Sequence, residues 1–116
     1  MITTSWNKYI DTSNAGMSDI YFCEEYCKLY ERENTKVMAY IHDDGTVRML
    51  FPFLVSPIPG TDGFFDFETP YGYGGPVCSS GNPEFLSAAW EGFISECSNM
   101  SIVAGFVRFH PILGNQ

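Results

Sequence analysis

Apolar and polar positions alternate along the chain with two distinct periods. Between residues 20 and 32, Phe22, Tyr26 and Tyr30 recur every four positions with Cys23 and Cys27 beside them, while Glu24, Glu25, Lys28, Glu31 and Arg32 fall opposite. That spacing predicts an amphipathic helix with an aromatic stripe packed on the core, capped by Ser18 or Asp19. Residues 36–41 and 47–51 then read as strands around Asp43-Asp-Gly-Thr46, where Asp44-Gly45 suits a type I′ turn. Val47, Met49 and Phe51 share one face by period two, and His42 sits at the turn's rim as a surface residue. Pro52, Pro57 and Pro59 predict that residues 52–60 form an extended edge or crossing segment rather than a central strand.

The second half repeats the two periods. Phe64-Phe-Asp-Phe-Glu68 reads as a short strand with Phe65 and Phe67 on one face and Phe64, Asp66 and Glu68 on the other. Asn82-Pro-Glu84 supplies a helix cap, a first-position proline and an acid for the positive helix end. Phe85, Leu86, Ala89, Trp90, Phe93, Ile94 and Cys97 follow as the double apolar row of a core-facing helix, which Asn99 ends. Ser101 to Phe109 is a nearly continuous apolar run, the pattern of a strand covered on both faces. A strand, loop, helix and strand over residues 64–109 predict a right-handed crossover between parallel neighbours. The expected fold is α/β (α+β): a twisted mixed sheet of four to five strands with two main helices.

Composition narrows the function classes. The chain has 116 residues, room for one domain, and is 45% apolar, too apolar for disorder. Its formal charge is −8, with six basic residues scattered among fourteen acids, so no basic stripe exists for direct nucleic-acid binding. The acidity suits an amine or cationic substrate, or simply solubility. No run reaches the roughly 18–20 apolar residues of a membrane span, and residues 1–8 lack the apolar core of a signal peptide, so a cytoplasmic protein is expected. Cys23, Cys27, Cys78 and Cys97 lack the closely paired spacing of a zinc site and read as buried or half-buried free thiols.

The chemistry gathers around Thr69-Pro-Tyr-Gly-Tyr-Gly-Gly-Pro76. Three glycines permit tight turning and close backbone approach, and the prolines stiffen both ends. In open α/β sheets, sites form beyond the carboxyl ends of parallel strands. By the expected topology, this stretch and Arg108-Phe-His-Pro111 lie at one such edge. Tyr71 and Tyr73 offer hydroxyls and flat faces. Arg108 suits a carboxylate or phosphate, or else pairs with Asp66 or Glu68 across neighbouring strands. His110 serves as a proton shuttle or bonds a loop carbonyl. Asp66 and Glu68 act as a base, bind an amine, or are simply solvated.

Tyr71-Gly-Tyr-Gly-Gly-Pro76 followed by Phe106-Val-Arg-Phe-His-Pro-Ile-Leu-Gly-Asn115 resembles the amino-terminal half of the FemAB-like branch of the GNAT acyltransferases. Asp19-Ile-Tyr-Phe22 and the Arg48–Val55 strand are similar to that pattern too, so the resemblance covers roughly residues 19–115. It implies that residues 1–116 form a partial GNAT-like domain whose remaining half lies elsewhere in a longer protein. It further implies transfer of an acyl or aminoacyl group to an amine on a small or lipid-linked substrate, such as a peptidoglycan precursor, with aminoacyl-tRNA or acyl-CoA as donor. The glycine stretch departs from the Gln/Arg-x-x-Gly-x-Gly/Ala pattern that holds coenzyme A, and Pro76 removes a backbone donor. No cofactor is therefore expected on this chain; Tyr71, Tyr73, Arg108, His110 and Asp66 are expected on the substrate side, and the catalytic base is not assigned. Self-association through an uncovered strand or face is a further expectation. The alternative is a stand-alone binding module with an aromatic recognition loop and no catalysis.

Overall fold

A computed structural model describes residues 1–10, 22–45, 47–69, 76–78 and 82–106. The six strands are β1 (Ile2–Thr3), β2 (Lys36–Asp43), β3 (Arg48–Pro57), β4 (Phe65–Glu68), β5 (Val77–Cys78) and β6 (Ile102–Phe106). The two helices are α1 (Glu24–Lys28) and α2 (Pro83–Asn99). One mixed sheet runs in the order β1-β2-β3-β4-β6, with β5 also paired to β3. This is the α/β class expected, with two short strands that the sequence pattern does not mark: β1, where Ile2 and Thr3 pair with Tyr40 and Ala39, and β5, where Val77 and Cys78 pair with Leu50 and Met49. Of the pairs, β4–β6 is parallel and the others antiparallel.

The sheet separates two cores. On one face, Val37, Ala39, Ile41, Leu50, Leu54 and Val77 pack with Trp6, Phe22 and Cys27. Trp6 is fully buried, and its indole N–H donates to the Phe22 carbonyl at 2.8 Å. On the other face, Tyr40, Met49, Phe51, Phe53 and Val55 pack with Phe85, Ala89, Phe93 and Cys97 of α2. Adjacent buried apolar residues of β2 and β3 fall alternately in the two cores, as a strand's period of two requires.

The proline expectation fails at β3. Far from being an edge, β3 is the central strand, with β2 on one side and β4 and β5 on the other. Hydrogen-bond parity explains how a proline sits there. Ile41 donates to the Met1 carbonyl and accepts from the Met1 amine, so its polar groups face away from β3. Ala39, two residues earlier, has the same orientation, and Ala39 pairs with Pro52. That pair exchanges no ladder bonds, so the missing Pro52 N–H costs β2–β3 nothing.

Three other expectations need correction. The first helix is five residues long rather than thirteen, with residues 20 and 21 outside the described residues. It stops because Arg32 and Thr35 exchange backbone bonds at 3.1 Å, turning the chain into β2. The β2–β3 turn closes with Asp44 N–H on the Val47 carbonyl, placing Gly45 (φ +98°) first at the tip. Asp44 has no positive φ, so the turn is not the type I′ centred on Asp44-Gly45. Finally, β6 is the last strand of the sheet among the described residues, and Val103, Ala104 and Gly105 are exposed rather than covered.

The α2 cap is as read. The Asn82 carboxamide oxygen accepts from Glu84 N–H at 2.9 Å and from Phe85 N–H at 3.4 Å, with Pro83 at the helix start. Only half of the apolar double row is buried. Phe85, Ala89, Phe93 and Cys97 face the sheet, whereas Leu86, Trp90 and Ile94 remain exposed. A sheet whose edge lies under α2 covers one stripe of it and leaves the next bare.

Candidate functional site

The site is built on an interruption in the sheet. Both β4 and β5 run antiparallel to β3 on the same side: Glu68 pairs with Leu54, and Val77 pairs with Leu50. Nine steps of chain from Glu68 to Val77 thus pass four of β3, which leaves five residues more than the ladder needs. The glycine-rich stretch falls in this interval of the sequence, and the chain enters β5 after it rather than passing straight into a helix. Pro52 lies across from the interruption, and with its polar side turned from β2 it has no N–H to leave unpaired there.

The parallel ladder brings together the described residues that precede the two motifs. Glu68 is in register with Phe106, the last described residue of β6. The segments 70–75 and 107–110 therefore start from paired positions at one end of β4 and β6. Tyr71, Tyr73, Arg108 and His110 lie outside the described residues.

Asp66 is the one expected site residue that can be placed. It pairs with Ser56 of β3 on one side and Ala104 of β6 on the other. With Ser56, Pro57, Pro59, Glu68, Ala104 and Gly105 it borders an open groove of about 470 Å³. Glu68 is held by Arg32 at 3.7 Å. The Ser56 hydroxyl bonds the buried Thr35 hydroxyl at 2.8 Å. Arg32, Thr35 and Ser56 thus tie the segment before β2 to the groove wall. The sequence reading missed all three; the signal for Arg32 is its position four residues before the β2 start, at a tight turn.

Carboxylates and a hydroxyl on one wall are acceptors, so the described part of the groove suits an ammonium or another cationic donor. It offers no activated nucleophile. Among the described residues there is no cluster of three histidine, cysteine or acidic side chains able to hold a metal. None of the four cysteines is in a disulfide; Cys27 and Cys97 are buried and Cys23 and Cys78 half-buried, as expected. His42 is not the solvated rim residue expected. Its Nδ1 bonds the Tyr40 hydroxyl at 2.9 Å, and its ring meets Phe85 edge-on at 5.3 Å. Burial raises the Tyr40 phenol above its ordinary range, with the Glu96 and Cys97 charges adding to it.

No known protein family, curated protein or solved structure matches the chain. Among the described residues, no helix is long and apolar enough to cross a membrane.

Proposed function

We propose that the chain is the substrate-side lobe of an acyl- or aminoacyltransferase of the FemAB-like kind, acting on an amine in the cytoplasm. The observation that carries this reading is the register of Glu68 with Phe106. It sends the two segments that bear the resemblance out from adjacent, parallel strand ends, where sites of α/β sheets form. The acidic groove beside that point supplies the partner for a cationic acceptor. Asp66 holds the amine, Glu68 is steadied by Arg32, and Arg108 takes an anionic group of the same substrate. The acyl donor binds to residues that this lobe does not supply, in keeping with a glycine stretch that lacks the coenzyme A pattern.

The test is titration of the isotope-labelled chain with a lysine-containing peptidoglycan stem peptide, with acetyl-coenzyme A as a parallel arm. The expected result is amide shifts centred on Asp66, Glu68 and Ala104 for the peptide, weakened about tenfold by Asp66→Asn, and none for the coenzyme. Peptide shifts that ignore Asp66→Asn, or micromolar coenzyme A binding, would overturn the reading. In a longer parent protein, Arg108→Ala with normal folding and unchanged transfer kinetics removes Arg108 from the site.

A second reading has an observation of its own. The bare Leu86–Trp90–Ile94 row is the surface an interaction module presents. An amine titration without shifts, together with capture of a partner through that row, favours it.

A further inference from the structure

On the α2 side of the sheet, away from Asp66, a second groove of about 520 Å³ runs between α2 and β6. Its floor is Phe67, Phe93 and Ile102, and its rim is Phe64, Trp90, Ile94 and Val103. None of its lining residues carries a formal charge. The rim residues together with Leu86 are 38–59% exposed.

Strand addition is not what this edge is shaped for. Phe65 pairs with Ile102 but Asp66 pairs with Ala104, so Val103 is an extra residue in β6. Such a bulge twists an edge strand and re-aims its side chain, which guards against open-ended pairing. Here it adds Val103 to the groove rim. What remains is a side-chain surface: Leu86, Trp90 and Ile94, spaced by four, form the ridge that packs into the groove of a like helix.

We propose that a second copy of this chain covers this face, with the two α2 ridges packed about a two-fold axis. The surface is self-complementary, because each copy presents a ridge and, next to it, an empty apolar groove. The exposed parts of Phe64, Leu86, Trp90, Ile94 and Val103 amount to roughly 500 Å² per copy, so a pair buries about 1,000 Å², the threshold for a specific contact. A contact of that size belongs to the weak, transient class. Since each copy carries a charge of −8 and the lining is neutral, repulsion acts at long range alone and salt strengthens the pair. The two grooves meet at Phe67, Ala104 and Gly105, so pairing is read by mass and amine binding at Asp66 and Glu68, which border the first groove alone.

Sedimentation equilibrium on the whole chain tests it. The expected result is a dimer at roughly 100 μM, tightened several-fold by added sodium chloride. Ile94→Asp and Val103→Asp, both at exposed positions, are expected to give monomers with unchanged circular dichroism, and either variant that keeps its fold suffices. A wild-type chain that stays monomeric, dimers that survive substitution in a folded variant, dimers loosened by salt, or masses above a dimer each overturn the proposal.

Discussion

Gly92 of α2 faces the Tyr40 hydroxyl so closely that a β-carbon on Gly92 would overlap it. Tyr40 is 1% exposed, and its hydroxyl is fixed on His42, so the ring has no free rotamer to move into. Gly92→Ala therefore pits about 1 kcal/mol of gained helix propensity against about 1–3 kcal/mol of overpacking. Overpacking wins, and urea unfolding is expected to show a net loss of about 1 kcal/mol. Adding Tyr40→Phe, which removes the opposing oxygen, is expected to recover part of it. A Gly92→Ala variant as stable as wild type would show that α2 can lift off the sheet at no cost.

Ser101 carries the opposite sign. It is the one described non-glycine residue with positive φ, at 61°, just past the end of α2. Its N–H donates to the Ser98 carbonyl and its own carbonyl accepts from Phe65 N–H, so the conformation is locked at the joint between helix and sheet. Left-handed backbone costs a side-chain-bearing residue about 1 kcal/mol. Ser101→Gly is expected to raise stability by about 0.5 kcal/mol after the extra freedom of the unfolded glycine is counted. Unchanged or lower stability in thermal unfolding refutes this.

Asn7 caps a helix from seventeen residues away. Cys23, at the start of α1, makes no side-chain cap bond. Instead the Asn7 carboxamide oxygen accepts from Glu24 N–H at 2.9 Å, while its NH2 donates to both Glu25 oxygens at 2.8 and 3.0 Å. Removing the cap with Asn7→Ala is expected to cost about 1 kcal/mol. It carries a second readout. The Asn7 bond is the main cause holding the Glu25 carboxyl below its ordinary value of 4.5. A depressed carboxyl stabilises above its unfolded value, and that part is lost as pH falls through the folded one. In Asn7→Ala, NMR titration is expected to return Glu25 towards 4.5; no upward move means that Asn7 does not hold it.

Elements whose signals are local were legible in the sequence. Asn82-Pro83 marks the start of α2, period two separates Phe65 and Phe67 from Asp66, and the run from residue 101 marks β6. What failed depends on partners far along the chain. Pro52 argues for an edge unless the direction of its nitrogen is known, and that direction follows from Met1 pairing with Ile41. The double row of α2 argues for burial on both stripes, but β6 is the last strand and nothing among the described residues lies beyond it. Of the candidate site, the parallel pairing of the strands that carry Glu68 and Phe106 was foreseen from topology. Ser56 and Arg32 were not, because the β3–β4 register brings Ser56 to Asp66 and the turn closed by Arg32 and Thr35 brings Arg32 to Glu68.

The thiols set an alkaline limit on stability. Burial pushes Cys27 up to about 12 from an ordinary 9.0, with the Cys23 and Glu24 charges adding to it. Burial likewise lifts Cys78 and Cys97 to about 11, with Glu96 adding to the latter. All three are neutral in both states well below pH 9, so stability there is indifferent to them. Above pH 9 the unfolded chain releases these protons while the folded chain keeps them, and stability falls until the folded values are reached. Cys27 alone contributes a slope of at most about 1.4 kcal/mol per pH unit. Urea unfolding between pH 8 and about 11 is expected to show a steepening loss, and Cys27→Ala is expected to flatten it even though the cavity lowers stability at every pH. A slope that Cys27→Ala leaves unchanged means that the thiol is not the group being titrated.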